Sequence, residues 1–177
     1  MALLDLSSLR TESFQKAYSL NEDVRATTTS RHHVFLSYRH TDRAFVPQVA
    51  QFLKRIGKAV YVDFLDEELA HAPSDQTATI LRTRIRQSKK LIQLITPNSG
   101  MSKWMPWELG LGDGLLGYPH SVTLPTVNGS ATITDQDYLK MYGYIQTGIS
   151  RDGSRQDWAI YYPDGSAVWF DEWLTSS

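Results

Sequence analysis

The chain alternates short, continuous apolar runs with longer stretches in which apolar residues recur every three or four positions. His33-Val34-Phe35-Leu36 is the first such run, and it turns polar at Ser37-Tyr38-Arg39-His40. An apolar run that ends in polar residues predicts a buried strand of a parallel sheet whose C-terminal end opens into a loop. Thr41-Asp42 then starts a helix, with Asp42 as its cap and Pro47 early enough to be tolerated. Phe45, Val49, Phe52, Leu53 and Ile56 form its apolar face, and Gly57 ends it. Ala59 to Phe64 is the second predicted strand, followed by a charged loop from Leu65 to Pro73. A helix capped by Ser74 or Asp75 buries Ile80, Leu81 and Ile85 and turns Arg82, Arg84 and Arg86 to water. Lys90 to Thr96 is the third strand and Pro97-Asn98-Ser99-Gly100 a turn. A further helix begins near Pro106, and Ser121 to Val127 is the fourth strand. Strands alternating with helices in this way predict a doubly wound α/β domain. Ligands of such sheets sit outside the carboxyl ends of the strands, where strand order reverses. Ser37, Tyr38 and Arg39 are therefore expected at the mouth of a site.

The two ends follow different patterns. Residues 1–30 read as an extension, a packing or oligomerisation arm: Leu3, Leu6, Leu9, Phe14, Ala17 and Tyr18 line a short helix, and Ala26 to Ser30 is a polar linker. Near the other end Asp135 to Tyr142 reads as a helix. Trp158 to Tyr162 and Ala167 to Phe170 flank Pro163-Asp164-Gly165-Ser166, which predicts a β-hairpin. The expected organisation is an extension over 1–30, a core over 31–130, and a C-terminal helix and hairpin over 131–177 belonging to the same domain.

Composition narrows the chemistry. A chain of 177 residues is long enough for one domain with a real core. A net charge of -1 leaves no electrostatic footprint for nucleic acid. The absence of cysteine excludes disulfides, a thiol nucleophile and cysteine-ligated metals. No stretch approaches the ~18 apolar residues of a membrane helix, and Met1-Ala2-Leu3-Leu4-Asp5 does not read as a signal peptide, so a cytoplasmic location is expected. The five histidines, at 32, 33, 40, 71 and 120, make no metal-binding spacing, so no metal is expected.

Glu108 is the strongest chemical candidate. It lies four residues after Trp104, on the same side wherever helical geometry already reaches the tryptophan. A carboxylate in a first helical turn is favoured in its charged form by free N–H groups and the helix dipole. Beside an aromatic platform it suits a nucleotide sugar: the ring stacks on a base, and the carboxylate binds ribose hydroxyls or steadies an oxocarbenium-like transition state. On pattern alone, a dipole-complementing acid beside two core tryptophans, Trp104 and Trp107, is the simpler reading. Arg39 offers a planar fork for phosphate, against the simpler reading of an exposed loop arginine. Ser37 and Tyr38 offer hydrogen-bond donors beside it. Gly112-Asp113-Gly114-Leu115-Leu116-Gly117 matches a dinucleotide fingerprint by letter, yet it lies inside a predicted helix rather than after a strand. Close helix packing explains its glycines better.

Taken together, Val34 to Arg39, Leu91 to Ser99, and Ser102-Lys103-Trp104-Met105-Pro106-Trp107-Glu108-Leu109 resemble, in order and spacing, three segments of the Toll/interleukin-1 receptor (TIR) domain family. The resemblance covers residues 33–127 and is nearest to the bacterial, Thoeris-like TIR proteins of anti-phage defence. It implies a flavodoxin-like fold, here with a C-terminal β-hairpin extension, and an NAD+ nucleosidase or cyclase that cleaves the nicotinamide–ribose bond. Glu108 takes the catalytic position; Ser37, Tyr38, Arg39, Phe64, Trp104 and Trp107 are the implied substrate-binding residues. NAD+ is then a substrate and no cofactor is implied. The implied partners are further copies of the chain and a downstream effector that senses the nucleotide product. Two alternatives stay open: a non-catalytic TIR adaptor, which has no need of Trp104 and Glu108, and an enzyme like the nucleoside 2-deoxyribosyltransferases, which would take a free nucleoside.

Overall fold

The computed structural model describes residues 2–9, 33–57, 61–63, 74–99, 102, 104–127 and 137–176. Among these, eight strands form one sheet: β1 (Leu4–Asp5), β2 (His33–Ser37), β3 (Tyr61–Asp63), β4 (Lys90–Ile95), β5 (Ser121–Val127), β6 (Gly143–Ile149), β7 (Gln156–Tyr161) and β8 (Ala167–Trp169). The helices are α1 (Val46–Gly57), α2 (Ser74–Gln87), α3 (Met105–Leu116) and α4 (Phe170–Thr175). Five parallel strands run in the order β3-β2-β4-β5-β6, after which β7 and β8 add antiparallel. In order of appearance, counted from β2, that is the 2-1-3-4-5 arrangement of flavodoxin-like sheets. β4 is buried along its whole length, its polar Lys90 and Gln93 included, as befits the interior of a parallel sheet covered on both faces.

One face of the sheet buries Val34, Leu36, Ile92, Leu94, Val122, Leu124, Ile145 and Ile160 beneath α1 and α4. The other buries Phe35 and Leu91 beneath α2 and α3, through Leu81, Ile85 and Leu109. The apolar stripe expected for α1 is the observed one: Val49, Phe52 and Leu53 are buried, and Phe45 and Ile56 pack at its margin.

Several expectations are corrected. Thr41-Asp42 does not open the α-helix: residues His40–Phe45 form a 3-10 turn, and α1 starts at Val46. Asp42 is no cap; its buried carboxylate accepts from Thr96 Oγ1 (2.7 Å) and Asn98 Nδ2 (3.0 Å). Leu3 to Leu9 are not helical in the expected way. Leu4–Asp5 form a parallel strand against Thr126 and Val127, and Leu6–Ser8 a 3-10 turn. Phe14, Ala17, Tyr18 and the 26–30 linker lie outside the described residues. So do Ala59, Phe64 and the 65–73 loop. Within the Asp135 to Tyr142 stretch the described part is a 3-10 helix, Asp137–Met141.

The hairpin is present, but it is one part of a larger C-terminal contribution. β6 supplies the fifth parallel strand, and β7 and β8 extend the sheet from it, four and five strands removed from β2. The hairpin therefore prolongs the sheet at the edge far from Ser37 rather than roofing it. β6 opens on a glycine for a packing reason: a Cβ at Gly143 would lie 2.8 Å from Ile160 and the Tyr162 ring. α4 then buries Phe170, Trp173 and Leu174 in the α1 layer. Its C-terminal end is held by buried Lys90, whose Nζ donates to Ser176 O and Oγ, each at 2.9 Å.

Among the described residues no helix is long and apolar enough to cross a membrane.

Candidate active site

Strand order reverses between β2 and β4, and the chemistry gathers there. Ser37 closes β2 directly opposite Gln93 of β4. Paired positions share a sheet face, here the face beneath α3. Ser37 Oγ donates to Glu108 Oε2, and Gln93 Nε2 donates to the Met105 carbonyl at 2.5 Å. Two neighbouring strand residues thus grip the first turn of one helix at points three residues apart.

That turn begins where local chemistry permits. Pro106, in the first turn, lacks an N–H that would otherwise be unpaired. The Met105 N–H donates to Ser102 Oγ (3.3 Å), and Ser102 is set by a compact turn in which Ser99 N–H donates to Thr96 O (3.0 Å). Trp104 already has helical dihedrals, φ -87 and ψ -36, and Glu108 N–H donates to its carbonyl at 2.8 Å. Pro106 therefore leaves the four-residue relation between Trp104 and Glu108 intact.

Glu108 is 8% exposed, whereas the Trp104 side of the same turn is open at 39%. Burial pushes the Glu108 carboxyl up to about 7, and the bond from Ser37 opposes that rise. The group can thus exchange its proton near neutral pH. Among the described residues no three His, Asp or Glu side chains gather as a metal site needs.

The other expected residues divide. Trp107 meets Trp104 edge-on at 5.5 Å, and the Arg82 guanidinium of α2, on an exposed residue as expected, lies 5.5 Å over the Trp107 ring. Arg39, half-buried, donates from Nη1 to the Asn98 carbonyl at 2.5 Å, tying the loop after β2 to the turn after β4. Tyr38 packs on the α1 face, opposite to Ser37, as strand alternation dictates. Phe64 lies outside the described residues. Sequence reading missed Gln93, although a lone polar residue inside Leu91-Ile92-Gln93-Leu94-Ile95 was the signal. Its amide is fully buried; the Met105 carbonyl fixes the amino end, and Oε1 has no partner among the described residues.

A family model for the TIR domain matches residues 34–123, a span that contains β4, α3, all of β2 after His33, and all of this geometry. The chain belongs to the TIR family. It is also similar, at 30% identity over 96% of this chain and 95% of the relative, to a probable 3′ cyclic ADP-D-ribose synthase, ThsB′, of Bacillus cereus. A second similarity, 30% identity over 43% of this chain and 21% of the other, is to a putative cyclic ADP-D-ribose synthase, TIR2, of Cytobacillus dafuensis. Membership in the TIR family replaces the deoxyribosyltransferase-like reading.

Proposed function

We propose that this TIR protein cleaves the nicotinamide–ribose bond of NAD+ and forms an ADP-ribose-type product, with Glu108 as the catalytic carboxylate. The observation that carries this reading is a buried carboxyl in the first turn of α3, at the strand-order reversal, one turn from an exposed tryptophan. Nicotinamide in NAD+ is already cationic. When its bond to ribose C1′ breaks, the bonding electron pair leaves with the ring and neutralises it, so no general acid is needed. Positive charge develops on the ribose, and an ionised Glu108 in a low-dielectric setting stabilises it strongly. Water, or a hydroxyl of the same ADP-ribosyl unit, then attacks C1′ and releases a proton. The first gives ADP-ribose and the second a cyclic product. Trp104 is the platform for a planar ring of the substrate. Arg39 meets phosphate at the rim, and Phe64 keeps its expected place among the contacts.

The names of the two relatives, one a probable and one a putative cyclic ADP-D-ribose synthase, favour the cyclising branch over a purely adaptor role. The reading includes self-assembly into a homo-oligomer, and a downstream effector that responds to the nucleotide during anti-phage defence. NAD+ turnover by wild type and Glu108→Gln, across protein concentration and with product masses, tests it. Loss of turnover by roughly 100-fold or more in a folded variant is expected. A wild type inactive at every concentration points to the adaptor reading.

A further inference from the structure

We propose that Ser37 is a positioning residue: it acts through Glu108, fixing the carboxylate and holding it charged, and does not itself bind substrate. The inference rests on Glu108 being the reacting carboxylate. Ser37 is 2% exposed, which leaves it no surface to offer a ligand. Its single hydroxyl proton is committed to Glu108 Oε2. Its backbone is fixed by the β2–β4 register, and the helix that brings Glu108 to it is fixed by Gln93 of the facing strand. The donor on β2 and the acceptor on α3 are thus both held against β4 and meet in one geometry.

Among the described residues, the charged side chains of the neighbouring elements that follow are engaged elsewhere. Arg39 donates to Asn98 O, and Asp42 accepts from Thr96 and Asn98. Arg82 of α2 lies over Trp107, and Asp113, farther along α3, accepts from Tyr142 at 3.4 Å. The bond from Ser37 is the interaction that favours the ionised form of Glu108 against its burial.

The sign follows directly. Removing the bond raises the Glu108 carboxyl further, so a larger fraction is protonated and inert at neutral pH. In Ser37→Ala the acid limb of kcat/KM for NAD+ is expected to move up by about one pH unit. The rate should fall about fivefold at pH 7 and approach wild type at pH 9. Ser37→Cys, of similar size and with a weaker donor, should fall between serine and alanine. It also serves where the alanine variant folds poorly. A role in packing alone predicts no movement of the limb and a uniform loss at all pH values; that outcome overturns the proposal.

A second readout needs no turnover: NMR titration of the Glu108 side-chain carboxyl carbon, assigned by its absence in Glu108→Gln, in wild type and both Ser37 variants. An upward shift in the order Ser, Cys, Ala supports the coupling even for a wild type that leaves NAD+ intact, which would sink the proposed reaction alone. Unchanged titration in a protein that does consume NAD+ sinks the positioning role alone.

Discussion

A carboxyl held beneath a helix start works against the stability of the fold that holds it. Glu108 goes from 4.5 to about 7 on folding because burial disfavours its charge. Its folded value lies above its unfolded one, so its contribution to stability is complete below the unfolded value and is lost as pH rises through the folded one. The span corresponds to about 3 kcal/mol at pH 8. Glu108→Gln keeps an acceptor for Ser37 and removes the charge, at the expense of a new amide donor to satisfy. It is therefore expected to be more stable than wild type at pH 8 by roughly 1–3 kcal/mol, a rise of about 3–8 °C in Tm, with the two converging by pH 5. Thermal unfolding at the two pH values measures this, and a variant less stable at both would refute it. At this scale Glu108, Trp104 and Ser37 were legible from spacing and strand ends. Gln93 and Asp42 were not. A polar residue in an apolar strand or a helix start announces a buried bond without naming the partner, which here lies 12 or 54 residues away.

Among the elements, α3 decides how closely the turn that carries Glu108 approaches the sheet. Gly112 is one turn beyond Glu108, and a Cβ there would lie 2.6 Å from Leu91 Cδ1 and 2.9 Å from Ser121 Oγ, whereas one at Gly110 or Gly114 would meet nothing within 4 Å. The three glycines in one helix therefore respond oppositely. Gly112→Ala pushes the helix off β4 and β5 and should cost about 1–3 kcal/mol, disturbing the Ser37–Glu108 contact. Gly114→Ala gains helix propensity with no steric opposition and should stabilise by about 0.5–1 kcal/mol without affecting turnover. Chemical denaturation separates them; equal effects would show that the glycines matter only through backbone entropy. The fingerprint-like lettering of this stretch was readable as packing because it sits inside a helix. β6 was unreadable for the complementary reason. Gly143, packed against Ile160 and the Tyr162 ring, and Gly148, beside the Tyr161 hydroxyl, bracket Tyr144 to Thr147 and break up a segment that otherwise carries the β-branched Ile145, Thr147 and Ile149.

Across the whole molecule, the described segments near the two ends clamp the sheet at different places. α4 is tied to Lys90 at the amino end of β4, while β1 fills the fork where β5 and β6 part: Leu4 pairs with Thr126 of β5, and the Ala2 and Thr147 backbones meet through Thr147 N–H to Ala2 O at 3.2 Å. The parallel order, and with it the place of the site, followed from the alternation of strands and helices. The fork did not, since two residues of strand leave no periodicity to read. Yet Leu6 is only 3% exposed within the core beneath α1 and α4. Leu6→Ala is expected to lose about 2–5 kcal/mol of stability. Because β1 lies beyond β5, and the Ser37–Gln93 pair lies between β2 and β4, a folded Leu6→Ala protein should keep the wild-type pH dependence of Glu108 at temperatures well below its lowered Tm. A leucine that serves only as core lowers Tm and leaves the acid limb in place. If the limb moved with Tm, the β1 wedge would be coupled to the Glu108 turn through the sheet, and the N-terminal segment would have to be counted as part of the site.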